Sequence, residues 1–212
     1  MVKGIIGACV GGAIGAAIWA AIVYFTGYEV GYVAVGVGVL AGFGMSVGSG
    51  DETNALTGGL AAVIAIAALL VGKYAVVNLY VNKAASGAQA SMVITLDDAK
   101  CFVADQLVPE YEASGKKLTW PEGQSLETAA EQAHYPTDLW ADMESRWATL
   151  TTTQQESYRI AAEQRAKDGL QAFAAVVKQE GFASSFSLWD ALWFVLAIGA
   201  AYKIGAGVES GD

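Results

Sequence analysis

Three long runs of apolar residues fill most of the first 80 positions of this chain. Residues 5–26 and 28–48 contain one ionisable side chain apart from cysteine and tyrosine, Glu29, and residues 56–80 contain only Lys73. Each run is close to or above the roughly 20 residues that a helix needs to cross the hydrocarbon core of a bilayer. The sequence therefore predicts three membrane-spanning helices in this region.

A fourth apolar run, residues 188–204, is shorter and holds Asp190 near its start and Lys203 near its end. It is at the lower limit of length for a span. The composition agrees, because only 16% of the residues are charged, against about a quarter in soluble domains. We expect an all-α membrane protein with four transmembrane helices and a small helical soluble domain between the third and fourth.

These spans divide the chain into four predicted parts. They are a glycine-rich region of three spans (1–83), an Ala/Ser/Gly linker (84–91), a helical water-facing domain (92–186) and the fourth span with a short tail (187–212). The first apolar run lacks a small-x-small cleavage site, so we expect a retained span and not a secretory signal. Four spans return the chain to its starting side, so both termini are expected on one side and the domain on the other.

Small residues recur at every fourth position in the first two spans. Two such rows are present: Gly7, Gly11 and Gly15, and Ala34, Gly38 and Gly42. Small residues at this spacing let helix backbones approach closely in lipid. The rows fit either a dimerisation face or packing within a helical hairpin, and the short turn between the two spans favours the hairpin.

Residues 93–187 show amphipathic helical patterns and no alternation typical of strands. Thr95 is predicted to cap the first helix of this segment, with acidic residues in its first turn. Ser125 is predicted to cap a short second helix that ends near His134, because Pro136 disfavours helix just before it.

The rest of the segment predicts two longer helices. Thr137 is predicted to cap one of them, and its partner runs over about 154–180 with Gly181 as the C-terminal cap residue. Ser187 and Asp190 have the spacing of a capping box that opens the last span.

Trp140 is a candidate contact residue of this domain. Leu139, Met143 and Trp147 share one face of the helix from Thr137, and Trp140 lies off that face. Two alternatives follow: a partly exposed tryptophan that forms a docking point beside acidic residues, or a tryptophan folded into the domain core. Gly38 and Gly42 are the candidate contact residues in the membrane.

The charge and the cysteines exclude two classes of chemistry. The net charge of −9 and the pI near 4.5 argue against a nucleic-acid partner, which requires a basic patch. Cys9 lies in the first span and Cys101 in the domain, so we expect no disulfide.

No catalytic, metal or cofactor site is predicted. The sequence Gly36-Val-Gly38-Val-Leu-Ala41 matches a dinucleotide-binding pattern by letter but lies in the middle of a span. His134 is the only histidine, and with Glu131 it supplies at best half of a metal site. A thiolate at Cys101 is disfavoured by nearby carboxylates, those of Asp97, Asp98 and Asp105.

Glu29, Lys73 and Asp190 form a predicted intramembrane charge cluster. Ionisable groups at membrane depth are costly and are usually paired or functional. The cluster fits an ion or proton relay, or a structural ion pair near the headgroups, and the position of all three near span ends favours the second. Aromatic residues typical of an interfacial belt accompany them: Tyr24, Tyr28, Tyr32, Tyr74, Trp189 and Trp193.

Three stretches of spans two to four carry a resemblance. They are Gly27-Tyr-Glu-Val-Gly31-Tyr-Val-Ala-Val-Gly36-Val-Gly38, Leu70-Val-Gly72-Lys73-Tyr74, and Trp189-Asp190-Ala-Leu-Trp-Phe with Ala200-Ala-Tyr-Lys203-Ile. In them the chain resembles a group of uncharacterised bacterial multi-pass membrane proteins. The resemblance implies the architecture and a bacterial origin, it suggests that Glu29, Lys73 and Asp190 belong together, and it implies no substrate.

These features predict a non-catalytic accessory or scaffold protein of the bacterial inner membrane. It would act in the lipid bilayer through a partner or through self-association, as a homo-oligomer or within a larger complex. The alternative is a small oligomeric pore or transporter that uses Glu29, Lys73 and Asp190. Lysines near span ends are more numerous on the domain side, which favours a cytoplasmic domain.

Overall fold

The computed structural model describes residues 1–28 and 31–208, and within these ranges the chain forms seven α-helices and no β-strand. They are α1 (Val2–Thr26), α2 (Gly31–Ser49), α3 (Ala55–Ser91), α4 (Leu96–Ala113), α5 (Thr137–Thr149), α6 (Thr152–Ser184) and α7 (Leu188–Gly205). Four of them, α1, α2, α3 and α7, are long and apolar enough to cross a membrane. The all-helical class and the four apolar helices are therefore confirmed.

The chain divides into two compact units. The membrane unit comprises Met1–Ala84 and Ala174–Asp212, and the second unit comprises Ala85–Phe173. Residues 84–91, predicted to be a linker, are the last turns of α3. Alanine is the best helix former, and the single glycine in this stretch costs only about 1 kcal/mol of helix stability.

The helix α6 also continues past its predicted end. It runs through Gly181 to Ser184, so the predicted cap at Gly181 is wrong. Gly181 is instead a packing position, since a Cβ placed there would lie 3.4 Å from Val77 of α3.

Glycines set the contact between α1 and α2. A Cβ at Gly7 would collide with the carbonyl oxygen of Gly44, and one at Gly11 would collide with that of Leu40. At Gly15 the added atom would lie 2.9 Å from the Cα of Val37. The first glycine row therefore packs within the hairpin, because these backbones are too close to admit a side chain.

The second row packs against a helix other than α1, which was the partner expected for a hairpin. A Cβ at Gly38 would collide with the carbonyl oxygen of Ala197, and one at Gly42 would lie 2.8 Å from that of Ala201. Both partners belong to α7. The helix α2 meets α1 through Gly44 and Gly48 instead, because it lies between two helices and presents a separate glycine row to each.

The helix α3 completes the four-helix bundle. At one end the Thr57 hydroxyl donates a hydrogen bond to the carbonyl oxygen of Gly205 in α7, over 2.8 Å. Towards the other end a Cβ at Gly72 would lie 3.1 Å from the ring of Trp19 in α1. The order around the bundle is thus α1, α2, α7 and α3.

Small side chains and a few large ones fill the bundle core. One buried cluster consists of Ala8, Ala41, Met45, Ala61, Ala65 and Ala201, and the other of Trp19, Val23, Ala34, Val37, Leu69 and Ala197. Apolar side chains such as Ile6, Val10 and Ile14 are about half exposed on the outer face of α1. This distribution is typical of a bundle that presents apolar side chains to lipid.

The second unit has its own core around α4 and α5. Val103, Leu107 and Tyr111 of α4 pack with Leu139, Trp140, Met143 and Trp147 of α5. Thr95 and Asp98 form a full capping box at the start of α4, as predicted for Thr95. The predicted inward face of α5 is also observed, and Trp140 is added to it. The predicted cap at Thr137 is wrong, because Thr137 is the first residue of α5 and Pro136 occupies the cap position, where its carbonyl oxygen accepts the Trp140 amide.

The predicted helix from Ser125 is wrong. Residues 125–131 form turns, and only a short 3-10 turn is present at Gln132–His134. The Ser125 amide donates to the hydroxyl oxygen of Thr128, which itself donates to Gln124. Such local side-chain hydrogen bonds compete with helical ones.

Candidate functional site

Lys73 and Asp190 form a buried ion pair between α3 and α7. The Lys73 ammonium lies 3.0 Å from Oδ1 of Asp190, and the two side chains are 2% and 15% exposed. Lys73 follows Gly72, where α3 lies close to α1. The close helix packing therefore places this side chain inside the bundle.

The other oxygen of Asp190 serves the start of α7. Oδ2 accepts hydrogen bonds from the amide and the hydroxyl of Ser187, at 2.7 and 2.8 Å. The Ser187 hydroxyl oxygen accepts one from the Asp190 amide, which completes the predicted capping box. One carboxylate thus caps a helix and neutralises a buried ammonium.

One aromatic ring lies beside the pair and belongs to a cluster of rings. The Lys73 ammonium lies 5.2 Å from the centroid of the Phe186 ring. Phe186 stands edge-on to Phe182 and Phe194, and Phe182 stands edge-on to Tyr74. A cation over an aromatic face is attracted to it, and more strongly when water is excluded.

The pair lies towards one end of the bundle and not at its middle. Thr57, which bonds to the last residue of α7, is 16 residues before Lys73 on α3, which corresponds to about 24 Å along the helix. Most of the hydrocarbon thickness of about 30 Å therefore separates the two cross-links. The exposed side chains of Tyr32, Tyr74 and Trp189 at the Lys73 end are typical of an interfacial belt.

The structure brings together two members of the predicted charge cluster. The third, Glu29, lies outside the described residues, so its proximity to Lys73 stays a prediction. Phe186 and Phe182 were not singled out from the sequence. Phe182 lies in the last turns of α6 and Phe186 in the connection between α6 and α7, so helical periodicity does not pair them, and their position just before the last span is the one signal in the sequence.

The other predicted contact residues make contacts within the chain. Trp140 is 7% exposed and packs against Tyr135, with ring centroids 5.5 Å apart. It is therefore the core alternative of the two considered. Gly38 and Gly42 face α7, as described above.

The residues considered for catalysis have local roles. The His134 Nε2 lies 3.1 Å from Glu131, and its Nδ1 accepts a hydrogen bond from the Ala130 amide. Burial, followed by the charges of Asp98 and Asp105, raises the pKa of Cys101 to about 11. The thiol is thus held in its protonated form, which is a poor nucleophile.

Two tyrosine–carboxylate bonds brace the second unit. The Tyr135 hydroxyl donates to Asp105 over 2.7 Å, and Asp105 also lies 3.6 Å from the guanidinium of Arg165. The Tyr111 hydroxyl donates to Asp142. Burial raises the pKa of Asp105, whereas the bond from Tyr111 lowers the pKa of Asp142. These pairs join residues about 30 positions apart, so no sequence spacing reveals them.

These features indicate the class: an all-helical protein with four candidate membrane spans and a charged pair buried between two of them. Comparison with protein-family models, with curated proteins and with solved structures finds no match.

Proposed function

We propose that this protein is a non-catalytic scaffold or accessory protein of a membrane, acting through contacts made by its second unit. The observation that carries the proposal is the Lys73–Asp190 pair, whose carboxylate joins α7 to α3 through one oxygen and caps α7 with the other. A carboxylate that forms both a helix cap and an ion pair stabilises the arrangement of these helices.

The packing of the bundle supports the same function. Trp19, Val37, Met45 and Leu69 lie between the helices and are at most 1% exposed. Glycine contacts bring the backbones of neighbouring helices together at several levels. The cavity of about 400 Å³ between α1 and α3 is lined by small and apolar residues and by none that is charged, so it is poorly suited to an ion path through one copy.

The second unit supplies the surface for contacts. It holds 14 acidic and seven basic side chains, so its surface attracts positively charged partners. Its own core is complete around α4 and α5. The residues outside that core are therefore free to serve recognition.

We further propose a bacterial inner membrane and a cytoplasmic second unit. The support is the number of lysines near span ends, since such residues are retained on the cytoplasmic side. Lys73, Lys83, Lys100 and Lys178 belong to the domain side, and Lys3 and Lys203 to the opposite one. Labelling of a cysteine placed at the exposed Glu127, in a chain lacking Cys9 and Cys101, tests this side: a membrane-impermeant reagent should leave it unmodified in intact cells.

Purification from native membranes in a mild detergent tests the scaffold function. We expect the protein to elute in an assembly, homo-oligomeric or mixed, well above its own 22.0 kDa. The purified protein in liposomes should give no ion flux above that of empty liposomes. Recovery as a lone monomer together with robust flux would favour the pore or transporter instead.

A further inference from the structure

A groove runs between α1 and α3 on the outer surface of the membrane unit, where residues of these two helices line a cavity of about 400 Å³. Its floor is buried and includes Ala16, Ala20 and Gly72, whereas Ala17 and Ala67 on its walls are exposed. Alanine supplies most of the lining, so the two helices leave a gap that their own side chains do not fill. Water is a poor occupant of an apolar gap, and an empty gap loses the dispersion contacts of its walls.

The groove is as long as one lipid acyl chain. Its lining runs from Cys9 to Ala20 on α1 and from Ile64 to Ala75 on α3, which is eleven residue steps on each helix. At the helical rise per residue, each stretch is about 16 Å long. One leaflet supplies half of the hydrocarbon thickness, or about 15 Å. The groove therefore matches an extended acyl chain of a single leaflet in length and in apolar character.

A lysine and two tyrosines lie beyond the groove, at the end of the bundle that holds Lys73. The Tyr80 hydroxyl of α3 donates a hydrogen bond to the carbonyl oxygen of Val23 in α1 over 2.6 Å. The Lys83 ammonium lies 5.2 Å from the centroid of the Tyr24 ring, and that ring lies 6.4 Å from the ring of Tyr80. The same two helices thus form the apolar groove and, beyond it, a polar rim of the kind found at a membrane interface.

Lys83 is accessible to an anion at this rim. Its side chain is exposed, and no carboxylate of the described residues forms a salt bridge with it. Long side chains of a helix lean towards its N-terminus, so the ammonium reaches back towards the groove, where it meets Tyr24. Tyr24 lies one turn, about 6 Å along the helix, beyond Ala20 at the end of the groove. The glycerol backbone of a phospholipid spans a gap of this size between its phosphate and its acyl chains.

We propose that the groove binds an anionic glycerophospholipid, with one acyl chain between α1 and α3 and the phosphate beside the Lys83 ammonium. Charge complementarity selects the headgroup, because a lysine at the membrane surface attracts anionic lipids, whereas a choline headgroup would bring a second cation near Lys83. The bound chain fills the gap between the two helices. The inference goes beyond the scaffold function and rests only on the membrane location proposed with it.

Native mass spectrometry of the delipidated full chain in a mild detergent tests the headgroup. The probes are dioleoyl phosphatidylglycerol and dioleoyl phosphatidylcholine, which share their acyl chains and differ in net charge. We expect phosphatidylglycerol to bind about fivefold more tightly, as for one lysine at an anionic surface, and Lys83→Gln to remove this preference. Lys203→Gln is the matched control, because it removes the same charge from an exposed position outside the groove, and should preserve the preference. Equal affinities of the unaltered chain for the two lipids, or the same loss in both variants, would overturn the proposal.

Ala17→Leu tests the acyl-chain site, because it places a larger side chain in the wall of the groove. It should weaken the binding of both lipids several-fold, whereas Lys83→Gln should weaken phosphatidylglycerol alone. Ala67→Leu repeats the test from α3, and Ala191→Leu is the control at an exposed position of α7 outside the groove. Circular dichroism verifies the fold of each variant. Unchanged lipid binding by both groove variants would overturn the proposal, and an accompanying change from dimer to monomer would assign the groove to a second copy.

Native-membrane assemblies separate this inference from the scaffold function. Assemblies that form although the unaltered chain shows no preference for phosphatidylglycerol would leave the scaffold function standing and overturn this inference. A lone monomer that binds phosphatidylglycerol through Lys83 would have the opposite meaning. Recovery of the chain from the soluble fraction of cells would remove the membrane location on which both rest.

Discussion

Asp190 accepts a hydrogen bond from Lys73 with one carboxylate oxygen and closes the capping box of its own helix with the other. The residue is thus part of a local motif, fixed by the spacing from Ser187, and of a contact that spans 117 positions of sequence. The first prediction concerns this double role.

Lys73→Met should lower the free energy of unfolding by about 3–5 kcal/mol, the range for leaving one charge of a buried pair uncompensated. Lys73→Met combined with Asp190→Asn should cost less than the single change, since the amide oxygen can still cap α7 and no longer carries a charge. Unfolding of the protein in mixed micelles measures both.

Lys203→Met is the control for the loss of a lysine from a span end, because Lys203 is exposed at the opposite end of α7. We expect its effect to stay within about 0.5 kcal/mol, as for ordinary surface substitutions. An equal loss of unfolding free energy at Lys203 and at Lys73 would show that burial of Lys73 does not account for its effect.

Two glycines of α2 should respond in opposite directions to alanine. At Gly38 the added Cβ collides with the Ala197 carbonyl oxygen, so α2 and α7 must separate, at a cost of about 1–3 kcal/mol. At Gly36 nothing lies within 4 Å, so alanine should be neutral or stabilise the helix by up to about 1 kcal/mol. Thermal unfolding of the two variants in the same lipid measures the difference. Equal effects would mean that α2 does not approach α7 as described.

Asp105 and Asp142 should give opposite pH dependences of stability. The pKa of Asp105 is raised by burial, so the folded protein holds its proton more tightly than the unfolded chain does. The contribution of Asp105 to the free energy of unfolding therefore increases as the pH falls through the folded pKa. The pKa of Asp142 is lowered by the bond from Tyr111, so its contribution is present above the unfolded pKa and is lost as the pH falls through the folded one.

The measurement is the melting temperature of the unaltered chain minus that of Asp105→Asn or Asp142→Asn between pH 7 and pH 3. This difference should rise towards acid for Asp105 and fall towards acid for Asp142. The same sign of slope at both positions would be inconsistent with the assigned environments.

Cys101 should react slowly with alkylating reagents near neutral pH. A pKa of about 11, against 9.0 for the unperturbed group, lowers its thiolate fraction by about 100-fold, and the thiolate is the reacting species. Iodoacetamide labelling of a Cys9→Ser chain, followed from pH 7 to pH 11, should show a rate that is still rising at the upper limit. A plateau beginning near pH 9 would refute the buried, acidic surroundings.

Features that depend on residues close together in the chain could be predicted from the sequence alone. The apolar runs fixed the four candidate spans, because length and composition alone decide whether a helix can cross lipid. Thr95 and Ser187 were identified as caps because a capping box joins residues only three positions apart. The shared helical face of Leu139, Met143 and Trp147 could likewise be predicted, because these residues are only four positions apart.

The helix that each face contacts depends on tertiary packing and could not be predicted from local sequence. The glycine rows of α2 are alike in sequence, yet Gly38 faces α7 and Gly44 faces α1. Trp140 could be an exposed docking point or a core residue by its position on α5, and its burial depends on Tyr135 and the rest of the core. The Lys73–Asp190 pair likewise depends on the packing of α3 beside α7. Contacts of this kind are set by close packing between segments far apart in the chain, which local propensity and periodicity do not encode.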